Sequence, residues 1–155
     1  MSSRQLVAQD VFSFLRPEQI ASISNASKVA TYKAGETVYL QGTKAQFLHV
    51  VLAGEVALRL PGKGGVSVLI DQLGPGAMFG TGLGFGQDRY RLTAQCLSDC
   101  RILKIETAVL RGLMDEDLRM GYAIQKRVSE LYFNRYIETM QKLQAIVMTI
   151  PLQAA

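Results

Sequence analysis

Apolar positions change their period twice along the chain. Leu6, Val7, Val11, Phe14 and Leu15 recur at helical spacing, and Pro17 suits the first turn of a second short helix carrying Ile20 and Ile23. From Lys28 the period becomes two, and turn signals arrive every eight to twelve residues. Strands are predicted at about 29–32, 37–40, 47–52, 55–60, 66–70, 91–97 and 100–105. Between them lie Lys33-Ala34-Gly35-Glu36, Gln41-Gly42-Thr43-Lys44, the loose Pro61–Gly65 loop and Leu73-Gly74-Pro75-Gly76. Ala53-Gly54 reads as a tight hairpin between two of the strands. Short strands so spaced predict an eight-stranded antiparallel jelly roll or sandwich.

After Glu106 the period is helical again. Leu110 and Leu113 close a short helix, and a long helix is predicted from about Asp115 to Ile146, with Asp115-Glu116-Asp117 at the start, where the helix dipole favours acids. Ile124, Val128, Tyr132, Tyr136, Met140, Leu143 and Val147 form an apolar stripe along it, and Pro151 stops it. At ~1.5 Å per residue such a helix is ~45 Å long, more than a domain this size needs for its own core. The chain therefore divides into an N-terminal helical segment (1–26), a jelly roll (27–106) and C-terminal helices (107–150) within one domain. The half of the long helix beyond Tyr136 is expected to project past the barrel. A twofold dimer through that stripe would bury it. The stripe's mean spacing, about 3.8 residues, predicts a short helix-pair contact, not an extended coiled coil.

Composition narrows the chemistry. Of 155 residues, 48% are apolar and 19% charged, as in globular domains. The net charge of +4 is shared evenly, +2 on either side of residue 100, so no nucleic-acid stripe stands out. One histidine (His49) and two cysteines (Cys96, Cys100) nearly exclude a His/Cys metal cage and argue against Ser/His or Cys/His catalysis. No metal, cofactor or enzymatic activity is expected. His49 and the residues Tyr32, Tyr39 and Phe47 are expected to pack within the sheets. Cys96 and Cys100, on one strand at ~13 Å, would be too far apart for a disulfide and are expected as buried thiols. No apolar run approaches a membrane span, and the polar first ten residues lack a signal core, which predicts cytoplasmic residence.

The segment most suggestive of binding runs from Leu73 to Arg91. Gly80, Gly82, Gly84 and Gly86 alternate in it, which allows backbone N–H groups to approach an anion, and Arg89 and Arg91 follow as planar phosphate donors. It lacks the Lys-Ser/Thr end of a P-loop.

Three stretches carry a resemblance: Ala34-Gly35-Glu36-Thr37-Val38-Tyr39-Leu40-Gln41-Gly42, Phe47–Val56 with its Ala53-Gly54 turn, and Leu73-Gly74-Pro75-Gly76-Ala77-Met78-Phe79-Gly80. In order and spacing they resemble the cyclic nucleotide-binding domain of the catabolite-activator and fumarate–nitrate regulators and of cyclic-AMP-dependent kinase. The resemblance runs from about Phe12 to Tyr136 and implies a jelly roll flanked by helices. It also implies a phosphate-binding cassette over Phe79, Gly80, Thr81, Gly82 and Leu83, then Arg89, Tyr90, Arg91, Leu92 and Thr93, with Tyr132 of the long helix near the base. The cassette departs from the family at both polar anchors. Where the family has Phe-Gly-Glu, with the Glu accepting from the ribose 2′-hydroxyl, this chain has Phe79-Gly80-Thr81. That forgoes a charge-assisted bond of roughly 1.5–3 kcal/mol. Counting without gaps puts Tyr90 at the family's phosphate-pairing Arg, with Arg89 and Arg91 on either side, and the spacing does not choose between them.

Two functions are thereby expected. One is a sensor that binds cyclic AMP, cyclic GMP or another anionic small molecule weakly and signals through its long helix, as a homodimer and to a separate output protein. The other is an interaction or dimerisation module that keeps the fold and has lost nucleotide binding. The family's regulators carry a helix-turn-helix after the long helix; none is read here, so direct DNA contact is not expected, and Lys126-Arg127 reads as a solvated face.

Overall fold

A computed structural model describes residues 12–82 and 86–150. Helix α1 (Pro17–Asn25) leads into β1 (Ser27–Tyr32), β2 (Thr37–Tyr39), β3 (Phe47–Ala53), β4 (Val56–Pro61), β5 (Ser67–Leu73), β6 (Met78–Phe79), β7 (Thr93–Cys96) and β8 (Cys100–Glu106). Helices α2 (Thr107–Glu116) and α3 (Leu118–Met148) follow. The strands form two four-stranded sheets, β1-β8-β3-β6 and β2-β7-β4-β5, and every pair is antiparallel. This is the expected jelly roll.

The first sheet is covered on both faces. Leu48, Val50, Leu103 and Ile105 point outward against Phe12, Leu15, Ile23, Leu110, Met120, Ile124 and Val128 of the helical segments. Phe79, Cys100 and Ile102 point inward with Val51 to meet Val56, Leu58, Leu73, Ala94 and Cys96 across the sandwich. Burial on two sides explains why β3 and β8 read as nearly continuous apolar runs where a half-buried strand would alternate. Each fully buried Leu or Ile contributes roughly 1.5–3 kcal/mol. The stripe of the long helix thus has two fates: Met120, Ile124 and Val128 enter this core, while Tyr136, Met140 and Leu143 stay exposed.

Several local expectations are corrected. Ala53-Gly54 does not close a hairpin, because β3 and β4 lie in different sheets and the turn is a crossover between them. Gly54 is nonetheless required: its φ is +86°, and a Cβ would lie 2.3 Å from the Asp99 carbonyl oxygen and 2.8 Å from Cys100 Sγ. Cys96 and Cys100 are free and buried, as expected, but they stand on β7 and β8 and face one another from opposite sheets. Burial, and then a hydrogen bond with Cys100, push the Cys96 thiol well above its ordinary value. The two-residue strand β6 falls between the predicted ranges, and the strand expected over 91–97 is confined to Thr93–Cys96.

The single long helix expected from Asp115 is interrupted. Asp115 and Glu116 end α2, and Asp117 adopts extended backbone before α3 begins. There its carboxylate caps α3, accepting from the backbone N–H groups of Arg119 (3.1 Å) and Met120 (3.2 Å). Gln19 of α1 donates to the same carboxylate at 2.8 Å, and Arg16 pairs with it at 3.4 Å. The start of α3 is fixed to α1, and its direction across the jelly roll follows from that.

Candidate functional site

A pocket of about 380 Å³ opens where α3 passes the jelly roll. Gly80, Thr81, Gly82, Gln87, Arg89, Tyr90, Arg91 and Leu92 form one wall, Tyr39, Leu58 and Ile70 another, and Tyr132, Arg135, Tyr136 and Thr139 of α3 roof it. Volume and lining are those of a small-molecule site, mostly apolar with a few convergent polar groups.

Each part of the wall has a local cause. Gly80 follows edge strand β6 with φ +67°, and a Cβ there would meet His49 Nδ1 at 3.0 Å and Tyr90 Cε1 at 3.2 Å. Only glycine lets the chain pass this close to the two rings. Thr81 comes next, its side chain 0% exposed and its hydroxyl without a hydrogen-bond partner in the protein. Arg89 Nη1 donates to the Gly42 carbonyl at 2.7 Å, alongside a β-bridge to Lys44. Arg91 donates from Nε (2.8 Å) and Nη2 (2.5 Å) to Gln87 Oε1. Both arginines therefore line the pocket, held by neutral acceptors that leave their charges unmatched.

Tyr90, the residue that counting places at the family's arginine, is buried. Its ring stacks on Tyr39 with centroids 3.7 Å apart, and its hydroxyl donates to the Phe47 carbonyl at 2.9 Å and accepts from the Phe47 N–H at 3.2 Å. It borders the pocket as a rigid wall. His49 is 1% exposed and packs against Phe79 (4.9 Å) and Tyr39 (5.2 Å), as expected of a sheet residue. Its burial, and then the Lys104 ammonium on the neighbouring strand, push it down to about 3, so it is neutral in the folded chain.

The roof is held by an ion pair that was not among the candidates. Arg135 Nε lies 2.8 Å from Asp71 Oδ2 of β5, and Nη2 donates to the Met78 carbonyl of β6 at 3.1 Å. Both side chains are largely buried, 14% and 17% exposed. About two turns farther along, Lys142 Nζ donates to the Ile70 carbonyl at 3.4 Å. Of the sequence-predicted residues, Gly80, Thr81, Gly82, Arg89, Tyr90, Arg91, Leu92 and Tyr132 are brought together. Phe79 lies behind them in the inter-sheet core, and Thr93 accepts from the Gln41 N–H outside the pocket. Leu83 lies outside the described residues. Arg135, Asp71, Thr139 and Gln87 were missed; nothing local marks Arg135 or Asp71, since their partnership spans 64 residues. Among the described residues no cluster of His, Cys, Asp and Glu could hold a metal, and no helix is long and apolar enough to cross a membrane.

The site is a pocket built on a glycine-rich turn of a jelly roll and roofed by the C-terminal helix. Residues 29–117 match the family model of the cyclic nucleotide-binding domain, and the chain belongs to that family. No curated protein is matched. Among solved structures, a candidate cyclic nucleotide-binding protein from Geobacter metallireducens is 24% identical with a TM-score of 0.76, covering 88% of this chain and 98% of its own. The sensor domain of the transcriptional regulator DNR from Pseudomonas aeruginosa is 16% identical with a TM-score of 0.74, covering 99% and 95%. The c-di-GMP-responsive global regulator CLP of Xanthomonas campestris is 20% identical with a TM-score of 0.69, covering 87% of this chain and 66% of its own. These likenesses establish the fold.

The His49 environment gives a pH dependence. Its folded value lies far below the unfolded 6.5, so between about pH 6.5 and 3 the unfolded chain binds a proton that the folded chain refuses. Stability is thus expected to fall as pH is lowered through that window, by up to about 1.4 kcal/mol per pH unit from this residue. Urea unfolding of His49→Phe should show a flatter profile than the unmodified chain. Identical slopes would contradict the assignment.

Proposed function

We propose that this chain is a regulatory module that binds cyclic AMP, cyclic GMP or a related phosphate ligand in the pocket beneath α3, and that the ligand biases the position of α3. The observation that carries this reading is the convergence of Thr81, Arg89 and Arg91 under the rings of Tyr132 and Tyr136. The arginines offer unspent N–H donors for a phosphate, and the tyrosines offer flat surfaces for a base. Affinity is weak because Thr81 is uncharged and both arginines must leave existing acceptors. Cytoplasmic residence and a separate output protein complete the reading; no catalytic role is assigned. Calorimetric titration with cyclic AMP and cyclic GMP tests it. Binding in the micromolar to millimolar range is expected, and Arg91→Ala and Arg89→Ala together should weaken it at least tenfold, the worth of one charge-assisted bond at about 1.4 kcal/mol. Binding unaffected by the double substitution would place the ligand elsewhere.

A second reading is favoured by the far end of α3. Tyr136, Met140, Leu143, Ile146 and Met148 are all exposed, and Tyr136 is 58% so. A stripe of this kind suits a twofold contact between two copies, with or without ligand. If no nucleotide binds, the module acts through this surface alone. Sedimentation should show a dimer at tens of micromolar that Tyr136→Glu with Met140→Lys splits while the β domain stays folded. A monomeric unmodified chain would overturn the dimer.

A further inference from the structure

A second cavity, of about 480 Å³, adjoins the pocket beneath α3. The two spaces have only Tyr39 and Tyr90 in common, whose stacked rings form a partition between them. Lys44, Phe47, His49 and Lys104 line the second cavity, Thr43 and Gln46 add neutral polar groups, and no Asp or Glu contributes. His49 is its buried polar residue, 1% exposed, neutral, and with Nδ1 making no hydrogen bond in the protein.

The strand register concentrates positive charge at this place. Lys28 of β1 stands opposite Lys104 of β8, and Lys104 stands opposite His49 of β3, so the three form one row across the sheet on the face that carries Phe47. The Lys28 and Lys104 ammonium groups both lie over the Phe47 ring, 5.0 and 4.6 Å from its centroid. Like charges directly opposite one another are destabilising. Nothing relieves them here: Glu106, opposite Phe47 on β8, is the acid nearest by register, and among the described residues Lys28, Lys44 and Lys104 make no ion pair. Burial, and then the Lys28 ammonium, push Lys104 below its ordinary value, as an unmatched cation requires.

We propose that this second cavity is a binding site for a small anion bearing two or more phosphate charges, held by the ammonium groups of Lys28, Lys44 and Lys104. The charge count selects the ligand. A single carboxylate offsets one of the converging cations, whereas a compact polyanion offsets several at once. Ammonium groups act on phosphate as mobile point charges and need no planar fork, so lysines suit a phosphate oxygen approached from several directions. The site stands apart from the pocket beneath α3 and does not depend on what that pocket binds.

The test is calorimetric titration of the full chain with inorganic pyrophosphate at fixed ionic strength, with amide NMR spectra recorded alongside. Pyrophosphate is expected to bind in the micromolar to millimolar range and to shift the amides of Lys44, Phe47, His49 and Lys104. Lys28→Met with Lys104→Met should weaken binding at least tenfold, the worth of one charge-assisted contact or more. Arg91→Ala, which alters only the pocket beneath α3, should change it less than twofold. Pyrophosphate should also raise the melting temperature of the unmodified chain and not that of the double lysine variant. The amide map of the unmodified protein carries the test if the variant fails to fold. Shifts confined to Gly80, Thr81, Gly82 and Arg91, with affinity lost in Arg91→Ala, overturn the proposal and leave the reading of the other pocket intact. Undiminished binding by the lysine variant, or no binding at millimolar concentration, overturns it as well.

Discussion

The guanidinium of Arg135 sits between the Asp71 carboxylate of β5 and the Met78 carbonyl of β6, and in this position it fixes what the pocket can be. β5 and β6 are each the last strand of their sheet, one in either half of the sandwich. A single side chain of α3 therefore ties the edge strands of both sheets together, through the Asp71 carboxylate on one and the Met78 carbonyl on the other. The ion pair is largely buried, so removing one partner leaves the other desolvated and unmatched, which is more costly than losing a surface pair. Tyr132 lies about one turn before Arg135 and Tyr136 directly follows it, and their place over Thr81 and the arginines depends on this anchor.

The two ends of α3 are held by different physics. Its start is part of the packed core through Met120, Ile124 and Val128, and Asp117 ties it to α1. Its far half makes polar contacts to the strand edges, from Arg135 and Lys142, and leaves its apolar stripe exposed from Tyr136 onward. The pocket wall beneath it is packed far more closely. Tyr90, stacked on Tyr39 and bonded to both backbone groups of Phe47, and Gly80, wedged against His49, make that wall rigid. Under the proposed function α3 is the two-state element, displaced when a ligand lies between wall and roof.

Most of the architecture was legible because its signals are local. The period-two segments, the glycine turns and the return to helical period at Glu106 each act within a few residues, and the resemblance on Ala34–Gly42, Phe47–Val56 and Leu73–Gly80 added their order. What misled was connectivity in space: Ala53-Gly54 looks like a hairpin, yet its strands part into two sheets. The wall of the site was equally readable, since Thr81, Arg89 and Arg91 lie within eleven residues. The roof was not, because Asp71 and Arg135 are ordinary surface residues by composition and gain meaning only from a contact across 64 positions. Tyr90 shows the limit of counting: one residue's slip separates a pocket-lining arginine from a core aromatic.

If the pocket communicates through α3, ligand binding must change the helix beyond its core-packed start. Hydrogen exchange of the backbone amides from Tyr132 to Ile146, followed with and without saturating cyclic nucleotide, reads this directly. The account predicts that exchange in this half changes on binding while the amides of β3, β8 and the first two turns of α3 keep their rates. Binding established by titration with an unchanged exchange profile from Tyr132 onward would contradict it.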